Sequence, residues 1–526
     1  MRILIFHGYL LGGTGSNVYN ARLAEALVGL GHEVHLLCQD PHPDEHAFVD
    51  AVGDWGTGGL QVRELDRPRE QGRGRCVVYK PDIGGLLPVY VADRYEGIEA
   101  RPFSQCSEAD VERYLEANVG AVAAVTGAAR PQAALANHLI MGPVILARAL
   151  RGEVPYAVKI HGSALEYTVK PEPERFLPFA REGLAGAGGI LVGSHHTAAS
   201  LWEALEDPEL AERTRLGPPG VDVRRFAARE PDAAAAGVRA LAARLGAAEE
   251  PKGDVETSAF ARDERAAAGA IERLDPGSDR LVAFVGKLIV SKGVDLLAAA
   301  WPLVLEHEPR AKLVVVGFGA YRQALEDLLG ALGRGDLAAA RALALAGRSL
   351  EGGDAPRHPL RHLLAFLDGL EDGQRERYLQ AAAGVSERVV FTGRLEHDEL
   401  ADLLPACEAL VVPSTFPEAF GMVAAEAAAC GVLPLSAAHS GLAEVSEALA
   451  RAVPEPAAQL LSFPVDDGAV RALAQRLTGW LGIAPELRAE TRKGLVDTVR
   501  ERWSWDRVAH GVIAAAHGEL DGLGRP

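Results

Sequence analysis

Two carboxylates eight residues apart, Glu418 and Glu426, flank a loop that runs into a helix expected to open near Phe420, within Pro413-Ser-Thr-Phe-Pro-Glu-Ala-Phe-Gly-Met-Val-Ala-Ala-Glu426. The first backbone N–H groups of a helix lack internal partners and carry partial positive charge, so a helix opening at Phe420 to Gly421 can hold an anion such as a diphosphate. Glu426 falls about one and a half turns further along, near enough to grip something attached to that anion. Glu418 precedes the helix and reaches the other side of the same ligand. An anion clamp between two hydroxyl acceptors suits a nucleotide sugar, with ribose on one side and hexose on the other. Paired glutamates on Ala-rich helices are common, so the surrounding loops must carry the reading.

In Phe284-Val-Gly-Lys-Leu-Ile-Val-Ser-Lys-Gly293, Lys287 and Lys292 bracket a loop between a strand and a helix. Paired ammonium groups there neutralise a departing diphosphate; a solvated surface pair is the plainer alternative. Val389-Val-Phe-Thr-Gly-Arg-Leu395 offers a second strand and loop, whose backbone from Gly393 to Leu395 suits a nucleotide base. His161, in Val158-Lys-Ile-His-Gly162, lies just past a strand end, where parallel strands open onto a ligand crevice. It can donate to a sugar hydroxyl or stabilise developing charge; the alternative is a structural histidine satisfied by backbone. Asn137 and His138 end the preceding strand and are expected on the acceptor side of the same crevice. Gly12, Gly13 and Gly15 lie between the first strand and its helix, where glycine permits close backbone approach to a ligand or simply a tight turn. The dinucleotide fingerprint is absent: the GxGxxG order is missing, and Cys38-Gln-Asp40 matches the expected strand-end acid poorly.

Other chemistries find no pattern. There is no HExxH, P-loop or GxSxG. His358 and His362 stand at i, i+4 with Pro359 between them and no third ligand nearby, so no metal or cofactor is expected. At 526 residues and 55.6 kDa the chain exceeds one ordinary core, and two domains are the expected minimum. With 48% hydrophobic and 24% charged residues it reads as a soluble globular protein. A net charge of -18 argues against nucleic acid and anionic membrane surfaces as bulk partners, local basic patches aside. The five cysteines form no CxxC pair and read as buried core residues in a reducing compartment. The N-terminus reads as a strand without a signal segment, and no apolar run reaches membrane-spanning length, so a cytoplasmic location is expected, with peripheral membrane contact left open.

Strand-like apolar runs alternate with helical patterns, which predicts an α/β protein of two doubly wound halves. The first half has strands at Arg2–Phe6, Glu33–Cys38, Ala133–Ala136, Tyr156–Ile160 and Gly189–Val192, with helices near 17–30, 108–126, 142–150 and 197–205. The second has strands at Leu281–Val285, Lys312–Val316, Arg388–Phe391, Ala409–Val412 and Val432–Leu435. Domains are expected at 1–222 and 223–502, the seam following the turn-rich Gly217-Pro-Pro-Gly-Val-Asp222. Helical insertions, the first of them alternatively a mobile excursion, are expected at about 227–279 and 330–384, and a final helix in 503–526 is expected to pack back on the first domain.

Taken in order along the chain, these motifs resemble the family 4 retaining glycosyltransferases of the GT-B fold. The resemblance rests on Gly12-Gly-Thr-Gly15, His161-Gly162, Pro219-Gly-Val-Asp222, the Gly-Lys to Lys-Gly segment from 286 to 293, and the spacing of Glu418 and Glu426. It implies two Rossmann-like domains facing a cleft, with donor on the C-terminal side and acceptor on the N-terminal side. By resemblance, Glu426 binds the ribose, Glu418 the donor sugar hydroxyls and Lys292 the diphosphate. Phe420, Gly421, Met422 and Val423 cover phosphates and sugar with backbone N–H groups, Gly13 joins the donor site, and His161 contacts the transferred sugar near its O6. The family commonly has arginine where this chain has Lys287, which keeps the charge without the bidentate fork. The implied reaction moves a hexose from a nucleoside-diphosphate sugar to an acceptor hydroxyl with retention, the leaving phosphate oxygen taking the acceptor proton. A phosphorylase or nucleotide-sugar epimerase of the same fold, and a non-catalytic sugar-nucleotide binder, are the alternatives. The base, the sugar, the acceptor (soluble, lipid-linked or polysaccharide) and the oligomeric state stay open.

Overall fold

Alternate residues of the first strand enter two different cores: Ile3 and Ile5 pack on one face of its sheet, Leu4 and Phe6 on the other. Burial on both faces is what a parallel sheet sandwiched between helices requires, and it accounts for near-continuous apolar strands. The computed structural model describes all residues except 57–58, 69–71, 92–97, 249–261 and 353–357. The chain divides into two units, Met1–Gly220 with Trp503–Pro526, and the residues described between Val221 and Arg502.

The first unit holds β1 (Arg2–Phe6), β2 (Glu33–Leu37), β3 (Ala51–Gly56), β4 (Gly59–Glu64), β5 (Arg75–Tyr79), β6 (Leu86–Val89), β7 (Glu99–Pro102), β8 (Ala133–Asn137), β9 (Tyr156–Lys159), β10 (Gly189–Val192) and β11 (Thr214–Leu216). Nine of these form one sheet in the order β11-β10-β9-β8-β1-β2-β5-β3-β4, with β6 and β7 paired separately. Its pairs are parallel except the edge pair β3 and β4. The order reverses between β1 and β8, and the crevice beyond the carboxyl ends of two such strands is where doubly wound sheets bind ligands. The C-terminal helix Trp505–Ala516 buries Trp505, Ala509, Val512 and Ala515 on the Ile3 and Ile5 face, beside the helix Gly15–Gly29.

The second unit holds β12 (Arg280–Val285), β13 (Ala311–Val316), β14 (Val389–Gly393), β15 (Ala409–Val412), β16 (Leu433–Ala437) and β17 (Ser462–Phe463). They form a parallel sheet in the order β14-β13-β12-β15-β16-β17, reversing between β12 and β15. Between β13 and β14 the chain runs through the helices Arg322–Gly333, Leu337–Ala346, Arg361–Asp368 and Asp372–Ala382. This is the second expected insertion, of which 353–357 lie outside the described residues. The first expected insertion contains the helices Pro231–Gly246 and Glu264–Ile271, which pack on each other and bury Val238, Leu241 and Ile271; its 249–261 segment lies outside the described residues. The sequence reading missed β3 to β7, β11 and β17.

Candidate functional site

In the second unit the loops after β12 and β15 are bound to each other. Thr415 N–H donates to Ser291 O at 2.9 Å. Gly293 lies so close to the other loop that a Cβ there would stand 2.0 Å from Pro413 O, at a left-handed φ of +64°, so glycine is required at that point. The short 3-10 turn Val290–Lys292 then delivers Lys292 to Glu418. Lys292 Nζ and Ser414 Oγ, the latter at 2.6 Å, both donate to Oε1 of Glu418. Burial works to raise the Glu418 pKa, but Lys292, the Ser414 hydroxyl and His439 together hold it below the usual carboxylate range. The Glu418 backbone is fixed as well: its N–H donates to Ser440 Oγ at 2.9 Å, and its carbonyl accepts from Gly441 N–H at 2.9 Å. His439 Nε2 donates to the Ser414 carbonyl at 2.8 Å, which leaves Nδ1 to accept from Ser440 Oγ at 3.1 Å. Ser440 adopts φ +52°, a strained setting for a non-glycine residue, at the junction that holds both Ser414 and Glu418.

The helix carrying Glu426 spans Met422–Ala429, so the start expected near Phe420 is corrected by two residues. Gly421 takes φ +138° at the end of the loop, and Phe420 is buried. Ala424 N–H and Ala425 N–H both return to Gly421 O, at 3.1 and 3.2 Å, so Met422 and Val423 open the helix with N–H groups outside that pattern. Glu426 has 4% of its side chain exposed and accepts from His397 Nε2 at 2.7 Å, while the His397 ring stands edge-on to Phe226. Lys287 extends over the Phe318 ring at 5.9 Å. Phe318 lies between Gly317 and Gly319 just beyond β13, and its carbonyl accepts from Leu288 N–H at 2.7 Å. A Cβ on Gly317 would stand 1.9 Å from Gly286 O, and Gly317 N–H donates to Gly393 O at 2.9 Å. Gly393 itself takes φ +74°, and Leu395 after it is buried. The carboxyl ends of four adjacent strands, β14-β13-β12-β15, are thereby joined around the two lysines and Glu418.

The first unit builds a different arrangement at its own reversal point. Asn20 Nδ2 donates to His7 Nδ1 at 3.0 Å, so His7 carries its proton on Nε2 and donates to Asn17 Oδ1 at 2.9 Å. Asn17 Nδ2 in turn donates to Gly12 O at 2.7 Å. On the other side Asn137 Nδ2 donates to Asn20 Oδ1 at 2.7 Å, and Asn137 Oδ1 accepts from His161 Nε2 at 2.8 Å. One hydrogen-bonded chain thus runs from the glycine loop to His161. Burial lowers the His7 pKa to about 4 against smaller raising effects of Asn17, Leu10 and Asp40. Burial, and then His138 and Lys159, push His161 well below the ordinary value, so both rings are neutral. The His161 proton is committed to Asn137, which corrects the expectation of a donor to sugar: Nδ1 remains as an acceptor.

Asn137 and His138, expected as acceptor contacts, are 0% and 2% exposed, and the Asn137 amide is engaged at both ends. Their positions suit support of His161 instead. His138 takes φ +68° and sits among the rings of His7, Tyr9, Tyr90 and His161, with neither ring nitrogen hydrogen-bonded. Gly13, at φ +89°, lies in the loop that Asp40 holds by accepting from Leu11 N–H at 2.8 Å, so the strand-end acid read as a poor match anchors the loop itself. Lys159 was not singled out either. Its Nζ donates to Gly217 O at 2.6 Å and lies 5.5 Å over the Tyr19 ring, and burial lowers its pKa to about 7. Tyr19 meets His161 edge-on at 5.1 Å. Sequence reasoning also passed over Ser414, His439 and Ser440, although His439 follows the end of β16 as His161 follows β9.

All five cysteines are buried and free. No helix among the described residues is long and apolar enough to cross a membrane.

Two family models match, the glycosyl transferase 4-like domain over residues 14–211 and the glycosyl transferases group 1 model over 361–467. The second match includes Glu418 and Glu426 but not the lysine loop. A D-inositol 3-phosphate glycosyltransferase of Segniliparus rotundus is 28% identical over 268 residues, 51% of this chain and 46% of that protein. One of Xylanimonas cellulosilytica is 29% identical over 438 residues, 82% of this chain and 77% of that protein. The first of these alignments therefore spans about half the length of the relative. Among solved structures, Anabaena HepE in complex with UDP and glucose is 15% identical with a TM-score of 0.54, covering 97% of this chain and 98% of that one, a likeness of fold. A glycosyl transferase 4-like model thus matches the first unit and the group 1 glycosyl transferase model the second, on two Rossmann-like halves that have the GT-B fold.

Proposed function

We propose that the protein transfers a hexose from a nucleoside-diphosphate sugar to an acceptor hydroxyl with retention, and that the second unit holds the donor. The observation that carries this reading is the convergence of Lys292 and Ser414 on one oxygen of Glu418, at the sheet's reversal point and beside the start of the Glu426 helix. An ammonium has three donors, so Lys292 can keep Glu418 and still meet a phosphate oxygen. Oε2 of Glu418 is left to accept from sugar hydroxyls, as Oε2 of Glu426 is for the ribose. Lys287 adds a second positive charge, and the Met422 and Val423 N–H groups add fixed dipoles where the leaving diphosphate gathers charge.

In the transfer the bond from the anomeric carbon to the phosphate oxygen breaks while the acceptor oxygen bonds on the same face. The acceptor proton passes to that phosphate oxygen, giving the glycoside and a nucleoside diphosphate. His161, neutral and held by Asn137, offers Nδ1 to a hydroxyl of the transferred sugar. Neutralisation of the leaving group is assigned to the lysines, and no metal or cofactor has a step in this proposal.

The test is incubation with UDP-, GDP- and ADP-hexoses and a panel of polyol, glycolipid and oligosaccharide acceptors, reading nucleoside diphosphate release and, by NMR, the product's anomeric configuration. Release with retained configuration is expected. Inversion would contradict the same-face step; a sugar phosphate formed only with added phosphate, or an isomerised donor, would overturn transfer itself.

A further inference from the structure

The second insertion touches the lysine loop. After the helix Leu337–Ala346 the chain makes a 3-10 turn, Gly347–Glu351, and Oε1 of Glu351 accepts from Val290 N–H at 2.5 Å, midway between Lys287 and Lys292. The turn is itself pinned: Arg348 N–H donates to His358 O at 3.1 Å, and a Cβ on Gly347 would stand 1.9 Å from the same oxygen. The other Glu351 oxygen meets Arg348 Nε at 3.4 Å, so a guanidinium partly balances the carboxylate beside the lysines. Only 16% of the Glu351 side chain is exposed.

Hydrogen bonds to three other segments anchor the loop. Leu288 N–H on Phe318 O and Thr415 N–H on Ser291 O tie it to neighbouring strand ends, while Val290 N–H on Glu351 ties it to the insertion. That third bond holds the first residue of the turn that ends at Lys292. A charged acceptor gives a stronger and shorter bond than a neutral one, and the half-buried N–H would be costly to leave without it.

We propose that Glu351 is a positioning residue that sets the placement of Lys292 against the diphosphate, making the second insertion part of the donor site. The proposal rests on the donor-site reading above. Its test compares the full-length wild type with Glu351→Ala, which removes the acceptor, and Glu351→Gln, which keeps a carbonyl oxygen and loses the charge. UDP, GDP and ADP are titrated by calorimetry, and kcat, donor KM and melting temperature are measured alongside.

Glu351→Ala is expected to bind the preferred nucleoside diphosphate about tenfold more weakly and to lose kcat, with Glu351→Gln restored to within about threefold of wild type. Wild-type affinity and kcat in Glu351→Ala would overturn the proposal, as would equal losses in both variants that track a lowered melting temperature. Absence of nucleoside diphosphate binding by the wild type would instead overturn the donor-site reading, and this inference with it.

Discussion

The two reversal points of the molecule are built on opposite electrostatic plans. The network from Gly12 through His7, Asn20 and Asn137 to His161 is buried, neutral and matched donor to acceptor, and it leaves Nδ1 of His161 to face outward chemistry. The site around Lys292 and Glu418 is charged, with 31% and 24% of those side chains exposed, and its ion pair has capacity to spare for an incoming ligand. A neutral network fixes one orientation before any ligand arrives. A charged pair is a place that a charged ligand can reorganise.

The largest expected effect separates the two plans directly. Lys292→Ala should lower turnover by about 10²- to 10³-fold, the range for removing one group that stabilises leaving charge, with little change in melting temperature. A drop below tenfold in steady-state assays would break the contrast.

Acid should strike the neutral network first. His7 has its pKa depressed from 6.5 to about 4 by burial, so the unfolded chain binds the proton more readily. The associated stability is fully present above about pH 6.5 and is lost as pH falls through about 4, amounting to about 3 kcal/mol. Glu418, depressed from 4.5, contributes stability that is lost only as pH falls below that value. Denaturant unfolding at pH 7.5, 5.5 and 4.5 should therefore show a loss between the first two points that His7→Gln diminishes; a flat profile would contradict the assigned neutrality.

Asn137→Ala strips the network of its hub, leaving His161 and Asn20 groups without partners at a cost of about 2 kcal/mol. It should lower kcat more than it changes donor KM, because the nucleotide and diphosphate contacts are assigned to the other unit; a rise in donor KM alone would argue against that division. The smallest effect is expected of Lys287→Arg. Charge is conserved and a fork is gained, so donor affinity should move by no more than about threefold.

The contrast also sets what could be read from sequence. Strands buried on both faces, such as Leu281-Val-Ala-Phe-Val285, announce themselves by apolar runs, and the lysine and glutamate loops by charged residues where parallel strands end. The edge strand Gly59–Glu64 alternates Leu60 and Val62 with Gln61 and Arg63 over only four residues and is largely exposed, Val62 included, so no apolar run marks it. Arg75–Tyr79 is a short buried run that begins on arginine, and it was passed over with the other strands between β2 and β8. His439 was legible by the rule that picked out His161. Ser440 was not, because its role depends on a left-handed backbone, and Asn20 was not, because its partners lie 13 and 117 residues away in the chain. Glu351 sits in an insertion without any motif, and contact with the lysine loop is visible only once the helices are placed.

The central claim is that Lys292 and Glu418 act on the donor as one unit, and a double-mutant cycle on kcat/KM tests it most directly. The account predicts that Lys292→Ala combined with Glu418→Gln is impaired by no more than a few-fold beyond the worse single variant. Losses that multiply, so that the double variant shows the full product of the two single effects, would contradict it.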